Sequence, residues 1–211
     1  MAFPWYIRLY HRLFTEEAQV KLFLKGKLYE IRDFIKGKHY NSLLEIGCAE
    51  GYLSRWLLQQ DLVKTAVASD IREKALAIGR EKSKKEKLQK KISFKKFSAT
   101  KIPLRAKSFD IVLLPDVLEH LSSPKEVKKA LKEARRVAKK AILIILPQIY
   151  MRKPQTLSFL LEPDHLRVLV KNKEMLFIYD NKKFADLLKQ LNLKFKYKNG
   201  RCGLSYYFIR I

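Results

Sequence analysis

An acidic residue and three small residues follow a short apolar run near residue 43. The run Leu43–Ile46 contains Glu45, and Gly47, Ala49 and Gly51 alternate with other residues before a helix-like pattern begins. Glycines between a buried strand and a helix permit a tight turn and let a ligand approach the main chain, where the next helix offers free N–H groups. The spacing lacks the Lys-Ser/Thr of a phosphate-binding loop, and a carboxylate would repel a pyrophosphate. The stretch therefore favours a cationic ligand.

A second group of residues with acid–base chemistry follows the apolar run 109–114. Asp116, Glu119 and His120 are spaced i, i+3 and i+4, so we expect them on one face of a short helix that starts near residue 116. His165 lies beyond a later apolar run. Two carboxylates and two imidazoles can hold a divalent metal, or the same side chains can line a pocket. We expect the pocket role, with His120 as a catalytic base and no bound metal.

Alternating strands and helices must position both groups. Short apolar runs and helical periodicity predict strands at 42–46, 64–69, 92–97, 109–114 and 141–146, with helices at 16–35, 52–59, 72–85, 124–138 and 182–191. Strands that are apolar throughout are typical of a parallel sheet covered on both faces. Asn199-Gly200 between two alternating runs predicts a closing antiparallel hairpin. The sequence thus predicts an α/β domain over 41–211, preceded by a helical extension over 1–40.

The charge of the chain is strongly positive. Lys and Arg number 45 against 21 Asp and Glu, which gives a net charge of +24. Such an excess favours an anionic partner, since heat-adapted proteins, the alternative explanation, usually raise Glu together with Lys. Lysine is dense at 82–96, as in a solvated helix end. Cys48 and Cys202 make no zinc set or disulfide framework, which predicts a reducing, cytoplasmic setting. We also expect no transmembrane segment.

The ordered motifs resemble class I S-adenosylmethionine-dependent methyltransferases over residues 42–147. LLEIGCAEG resembles their first motif, Glu/Asp-x-Gly-x-Gly-x-Gly, with Ala49 at the middle glycine. FSATKIPLRAKSFDIVLLPDVLEHL, residues 97–121, resembles the segment that usually reads Asp-Ala-x-x-Leu-Pro and then Phe-Asp-x-Val, and RRVAKKAILIILP resembles the fifth-strand region. The resemblance implies a Rossmann-like, doubly wound, mostly parallel sheet of seven strands, with S-adenosylmethionine as the cofactor.

The resemblance also assigns residues to the cofactor. Asp70 falls where the family places the acid that holds the ribose hydroxyls, and Ile71 where a side chain packs on the adenine. Ser98 stands where an Asp commonly contacts the adenine amino group. The cofactor-binding residues implied are Glu45, Gly47, Cys48, Ala49, Gly51, Tyr52, Asp70, Ile71, Ser98, Ala99, Leu114 and Asp116.

Three functions remain open from the sequence. The first is methyl transfer to an O or N atom of a small-molecule or lipid acceptor, which requires mainly alignment and exclusion of water. The second is methylation of RNA on a 2′-hydroxyl, with or without a metal. Ubiquinone-pathway O-methyltransferases and small-RNA methyltransferases both carry Glu-x-x-Glu-His where this chain has Asp-x-x-Glu-His. The third is a non-catalytic protein that binds the cofactor on the same fold. We expect the first.

Overall fold

The computed structural model describes residues 16–147, 181–200 and 204–211, with side chains from residue 25 onward. Its elements in chain order are α1 (Glu16–Ile35), β1 (Ser42–Ile46), α2 (Tyr52–Gln59), β2 (Thr65–Asp70), α3 (Glu73–Lys85), β3 (Ile92–Lys96), β4 (Phe109–Pro115), a 3₁₀ turn (Leu118–His120), α4 (Pro124–Val137), β5 (Ala138–Pro147), α5 (Asn181–Gln190), β6 (Phe195–Asn199) and β7 (Leu204–Arg210).

The strands form one seven-stranded sheet in the order β3-β2-β1-β4-β5-β7-β6. β1 to β5 are mutually parallel where they pair, while β7 runs antiparallel to both β5 and β6. The predicted Rossmann-like, mostly parallel sheet with an antiparallel C-terminal hairpin is confirmed. Strand order reverses between β1 and β4, which is where ligands bind in open α/β sheets.

Helices cover both faces of the sheet because the central strands are apolar on both. In β4, Ile111 and Leu113 pack towards α1, α2 and α3, whereas Val112 and Leu114 pack towards α4 and α5. All four side chains are fully buried. Alternate residues of a strand point to opposite faces, so an unbroken apolar run is what a doubly covered strand requires.

Two boundaries near β5 differ from the prediction. α4 ends at Val137 and β5 begins at Ala138, three residues before the apolar run from which the strand was predicted. Lys139 and Lys140 are exposed at the start of the strand, beyond the cover of the helices, so they need not be apolar. Ala138 nevertheless pairs with Phe109 of β4, next to an irregularity in the register.

α1 packs onto the same core as the sheet. Its side chains Leu28, Ile31 and Ile35 are buried in one cluster with β1, β4 and β7, and Phe34 stacks on Tyr206 at 5.7 Å between ring centroids. The division into 1–40 and 41–211 stays a prediction. No helix within the described residues is both long enough and apolar enough to cross a membrane.

Candidate active site

The register of the sheet brings the predicted site segments together. Glu45 of β1 lies beside Ala68 of β2 and beside Leu113 of β4. Because the three strands are parallel, their carboxyl ends open on the same edge. The loop after β1, the residues after β2 and the turn after β4 therefore meet at one mouth, as the sequence predicted.

The glycine loop after β1 contains three residues with left-handed backbone. Gly47, Ala49 and Gly51 have φ values of 71°, 49° and 67°. A Cβ atom on Gly47 would lie 2.3 Å from Cγ2 of Val117, and one on Gly51 would lie 2.6 Å from Cε1 of Phe94. Both glycines are thus required by backbone conformation and by neighbouring side chains. Ala49 adopts the left-handed conformation with a methyl group in place.

Asp70, the last residue of β2, forms a hydrogen bond to this loop. Its Oδ2 accepts a hydrogen bond from the Ala49 backbone N–H at 2.8 Å, and its Oδ1 accepts from the Arg72 N–H at 2.9 Å and from Arg72 Nε at 3.2 Å. Burial raises the pKa of this carboxyl, but the hydrogen bonds from Arg72 and Ala49 outweigh it and hold the pKa below its ordinary value. The charged form has one further acceptor position on Oδ2. A ribose hydroxyl that bonded to Oδ2 would therefore share this oxygen with the Ala49 N–H of the loop. The sequence did not indicate that the loop uses part of the carboxylate.

Glu45 is buried beneath the same loop, with 2% of its surface exposed. Its Oε2 accepts hydrogen bonds from the backbone N–H of Ser54, at 3.0 Å, and from the Ser54 hydroxyl. Desolvation raises the pKa of Glu45 to about 7, against the opposing effect of both Ser54 bonds. Sequence reasoning missed Ser54, although a serine in the first turn of an apolar helix was the available signal. Glu45 thus ties β1 to α2.

We expect Glu45 to make stability depend on pH. Its folded-state pKa of about 7 lies above the ordinary 4.5, so the stabilisation is complete below pH 4.5 and is lost as the pH rises through 7. Relative to Glu45→Gln, the wild type should lose about 3 kcal/mol of unfolding free energy between about pH 4.5 and about pH 8. Urea denaturation at both pH values measures the difference, and a difference independent of pH would contradict the assignment.

Other residues of the predicted cofactor set border the loop or lie under it. Ile71 is 65% exposed beside Asp70, and Tyr52 is exposed at the start of α2. An exposed isoleucine at this edge is a suitable platform for a flat ring. Cys48 is buried, with Sγ directed at the Ala49 carbonyl, and burial raises the pKa of its thiol.

The side chains of the other predicted cofactor-binding residues bond to neighbouring residues or lie in the core. Ser98 is half-buried, and its hydroxyl lies 3.0 Å from that of Thr100 and accepts from the Thr100 N–H. The side chains of Ala99 and Leu114 are buried in the core between the sheet and α4. Leu114 could therefore contact a cofactor only through its backbone.

The predicted short helix near Asp116 is wrong in extent. Only Leu118–His120 is helical, as a three-residue 3₁₀ turn, and Asp116 lies before it with a φ of 52°. Asp116 therefore shares no helix face with Glu119 and His120. The left-handed backbone at Asp116 accounts for the interruption, because a helix cannot continue through it.

A buried charge cluster follows β4 all the same. Lys27 of α1 pairs with Oδ2 of Asp116, and the two side chains are 11% and 32% exposed. Glu119 is 3% exposed. Burial first, and then the Asp116 charge, raise the pKa of Glu119, whereas Lys27 opposes the rise. Sequence reasoning missed Lys27, since 89 positions separate it from Asp116.

Two oxygens of this cluster have no hydrogen-bond partner among the described residues, namely Oδ1 of Asp116 and Oε2 of Glu119. Buried polar atoms are rarely left unpaired in folded proteins, so such acceptors suit a ligand that carries donors or positive charge. The part of the chain with described side chains contains no group of three His, Cys, Asp or Glu residues able to hold a metal. His165 lies outside the described residues.

Residues 44–146 match the protein family described as “Methyltransferase domain”. This segment is a class I S-adenosylmethionine-dependent methyltransferase domain. The chain thus contains a methyltransferase domain, and S-adenosylmethionine is the cofactor of that domain. No curated protein matches the chain by sequence.

Solved structures of low sequence identity share the methyltransferase fold. A S-adenosylmethionine-dependent methyltransferase from Aquifex aeolicus is 19% identical, with a TM-score of 0.66 over 94% of this chain and 99% of its own. A protein from Pyrococcus horikoshii OT3 is 18% identical, with a TM-score of 0.68 over 99% of each chain. The small RNA methyltransferase HEN1 is 18% identical, with a TM-score of 0.69 over 88% of this chain and 25% of its own. These likenesses concern the fold alone.

The residues present fit the cofactor of a methyltransferase. The loop Gly47–Gly51 turns sharply at the carboxyl end of β1 through three left-handed residues, and Ile71 provides an exposed apolar surface directly after Asp70. The unpartnered Oδ1 of Asp116 suits a positive group of S-adenosylmethionine, and the unpartnered Oε2 of Glu119 suits a polar group. Gly47–Gly51, Asp70, Ile71 and Asp116 are the residues that would hold it.

Proposed function

We propose that this domain transfers the methyl group to an O or N atom of a small-molecule or lipid acceptor. S-adenosylmethionine supplies an activated methyl group, so the chain has mainly to align the acceptor and exclude water. The supporting observation is the cluster of carboxyl groups at the mouth, of which Asp70 is held in its charged form. Glu45, Asp70 and Glu119 are buried there, and Asp116 is half-buried.

The acidic mouth favours a neutral or cationic acceptor over a polyanion. In a partly buried site, charges interact more strongly than in water because the local dielectric is lower. A phosphodiester backbone entering beside Asp116 would meet its carboxylate, and the Lys27 ammonium there already pairs with Asp116. An alcohol, phenol or amine carries no such penalty.

His120 is the residue we assign to proton removal from the acceptor. It closes the 3₁₀ turn directly after Glu119, is half-buried, and its backbone N–H donates to the Val117 carbonyl at 3.1 Å. An imidazole titrates near neutral pH, as a general base for a hydroxyl or ammonium acceptor should. Its position after β4, at the same mouth as the cofactor loop, supports this assignment.

His120→Ala should lower kcat by about 100-fold or more, the usual contribution of a general base, and leave cofactor affinity within about twofold. Transfer of a labelled methyl group measures the first, and calorimetry with S-adenosylmethionine measures the second. The matched control is His39→Ala, because His39 is exposed at the opposite edge of the sheet. Equal rates for wild type and His120→Ala would contradict the assignment.

The acceptor class can be found by labelling. The protein is incubated with methyl-labelled S-adenosylmethionine and separated pools of metabolites, lipids and RNA, with Asp70→Ala as the control of weakened cofactor binding. We expect label in the metabolite or lipid pool. Label confined to RNA would overturn the proposed acceptor class while leaving the methyltransferase activity in place.

RNA is the second candidate acceptor. Two observations favour it, namely the net charge of +24 and the fold shared with the small RNA methyltransferase HEN1. The departure of Asp116 from the Glu-x-x-Glu-His pattern weighs against a metal-assisted 2′-O reaction. We also propose an anionic partner and a cytoplasmic location, the latter supported by the free, buried thiol of Cys48.

A further inference from the structure

The amino-terminal edge of the sheet carries positive charge at every strand. β1 to β6 begin at this edge and the antiparallel β7 ends there. We call the segments at this edge, residues 36–41, 60–64, 87–91, 105–108, 138–140, 192–196 and 210–211, the basal edge. Its exposed cations are Lys36, Lys38, Lys64, Lys87, Lys90, Lys91, Arg105, Lys107, Lys139, Lys140, Lys194, Lys196 and Arg210.

Backbone hydrogen bonds join these segments into one surface. The Lys64 N–H donates to the Asn41 carbonyl at 3.0 Å, and the Ile211 N–H donates to the Lys140 carbonyl at 2.9 Å. The Lys107 N–H donates to the last turn of α4 at 2.8 Å. At about 4.8 Å between neighbouring strands, seven strands span roughly 29 Å. The segments that carry the cations therefore follow one another along the whole of this edge.

Three of these cations lie close enough to repel one another. Lys38 Nζ lies 3.9 Å from the ring centroid of Phe208, in the strand that carries Arg210, and Lys196 pairs with Phe208 across the sheet. Burial, followed by the charges of Arg210 and Lys196, lowers the pKa of Lys38. Like charges held this close cost free energy, which a bound anion would recover.

Few acids offset this charge in the described residues. Asp61 lies in the basal edge and already pairs with Lys64 at 2.9 Å. Asp110, the second residue of β4, has a carboxylate oxygen 3.4 Å from Lys140 Nζ and also accepts a hydrogen bond from the Asn41 N–H. No ion pair to an acid within the described residues involves Lys38, Lys196 or Arg210. These three are thus available to an external anion.

We propose that the basal edge binds a nucleic acid strand through its phosphodiester backbone, at the opposite end of the sheet from the methyl-transfer site. Exposed cations in a row match a linear array of phosphates, and such contacts account for most non-specific nucleic acid binding. Membrane-surface binding usually adds apolar side chains that enter the lipid interface. Of the large apolar side chains exposed in the described residues, only Ile211 belongs to the basal edge. The inference does not depend on the identity of the acceptor.

The test is fluorescence anisotropy with a labelled single-stranded RNA of mixed sequence, about 20 nucleotides long, between about 50 and about 200 mM salt. The test variant replaces Lys38, Lys196 and Arg210 by Gln. The control of equal charge replaces Lys125, Lys128 and Lys129, which are exposed on α4, by Gln. A third variant, Lys38→Arg with Lys196→Arg, retains the charges. Circular dichroism and cofactor calorimetry verify that each variant is folded.

The variant of Lys38, Lys196 and Arg210, the basal variant, should bind RNA at least about tenfold more weakly at low salt. The slope of log affinity against log salt concentration should become less steep by about 2, because each of the three lost phosphate contacts contributes about 0.7. The control and the arginine variant should bind as the wild type does. Equal losses in the basal variant and the control would overturn the proposal, as would stronger binding to vesicles with about 30% phosphatidylserine than to RNA. Methyl transfer to the labelled acceptor pool is measured separately, so failure here is distinct from failure of the proposed function.

Discussion

Asp70→Ala is expected to weaken the binding of S-adenosylmethionine by about 100-fold. The carboxylate holds the Ala49 N–H at 2.8 Å and the Arg72 N–H at 2.9 Å, so its loss releases the loop as well as the proposed ribose contact. Hydrogen bonds to a charged acceptor contribute about 1.5–3 kcal/mol each, and about 2.8 kcal/mol corresponds to 100-fold in affinity. Calorimetry with the cofactor measures the change directly.

Asp70→Asn tests the contribution of the charge of Asp70, and Asp61→Ala is the control for loss of an acid elsewhere. Asp70→Asn keeps one acceptor oxygen for the loop, so we expect it to bind the cofactor better than Asp70→Ala but worse than the wild type. Asp61→Ala removes a carboxylate that is exposed and pairs with Lys64. It should leave the affinity unchanged. An unaltered affinity in Asp70→Ala would exclude the cofactor role that we assign to this acid.

Gly47→Ala should lower the free energy of unfolding by about 3 kcal/mol. The new Cβ would lie 2.3 Å from Cγ2 of Val117, and the φ of 71° disfavours any residue with a side chain. Left-handed backbone costs about 1–2 kcal/mol and overpacking about 1–3 kcal/mol. Urea denaturation gives the stability, and we expect cofactor affinity to fall as well because the loop must move.

The chain contains a matched control for this substitution. Gly37 has a similar φ of 75°, but a Cβ there would meet no atom within 4 Å. Gly37→Ala should therefore cost only the backbone term, about 1 kcal/mol. Adding Val117→Ala to Gly47→Ala removes the methyl group that the new Cβ contacts. The loss of unfolding free energy caused by Gly47→Ala should then come closer to the loss caused by Gly37→Ala. Equal destabilisation by Gly37→Ala and Gly47→Ala would show that the contact with Val117 does not matter.

The buried acids of the mouth and the exposed cations of the basal edge lie at opposite ends of the same strands. Glu45, Asp70 and Asp116 lie at or beyond the carboxyl ends, whereas Lys38, Lys140 and Lys196 lie near the amino ends. This separation allows a neutral or cationic acceptor at one end and an anionic partner at the other.

The sequence alone determined the architecture and the position of the cofactor loop. Unbroken apolar runs predicted the buried parallel strands, Asn199-Gly200 predicted the closing hairpin, and small residues at 47, 49 and 51 predicted the turn. These features are local: side-chain periodicity and backbone conformation depend on a few neighbouring residues. The boundary at Ala138 and the interruption at Asp116 were missed because sheet pairing and a left-handed residue overrode the local pattern.

Only the tertiary structure decided which distant groups meet. It joined Asp70 to the Ala49 N–H, Ser54 to Glu45, and Lys27 to Asp116, and it collected lysines from separate segments into the basal edge. The physical reason is that packing of helices on a parallel sheet sets these distances, and burial then shifts the charge state of groups such as Glu45 and Glu119. Neither effect has a local signature in the order of residues along the chain.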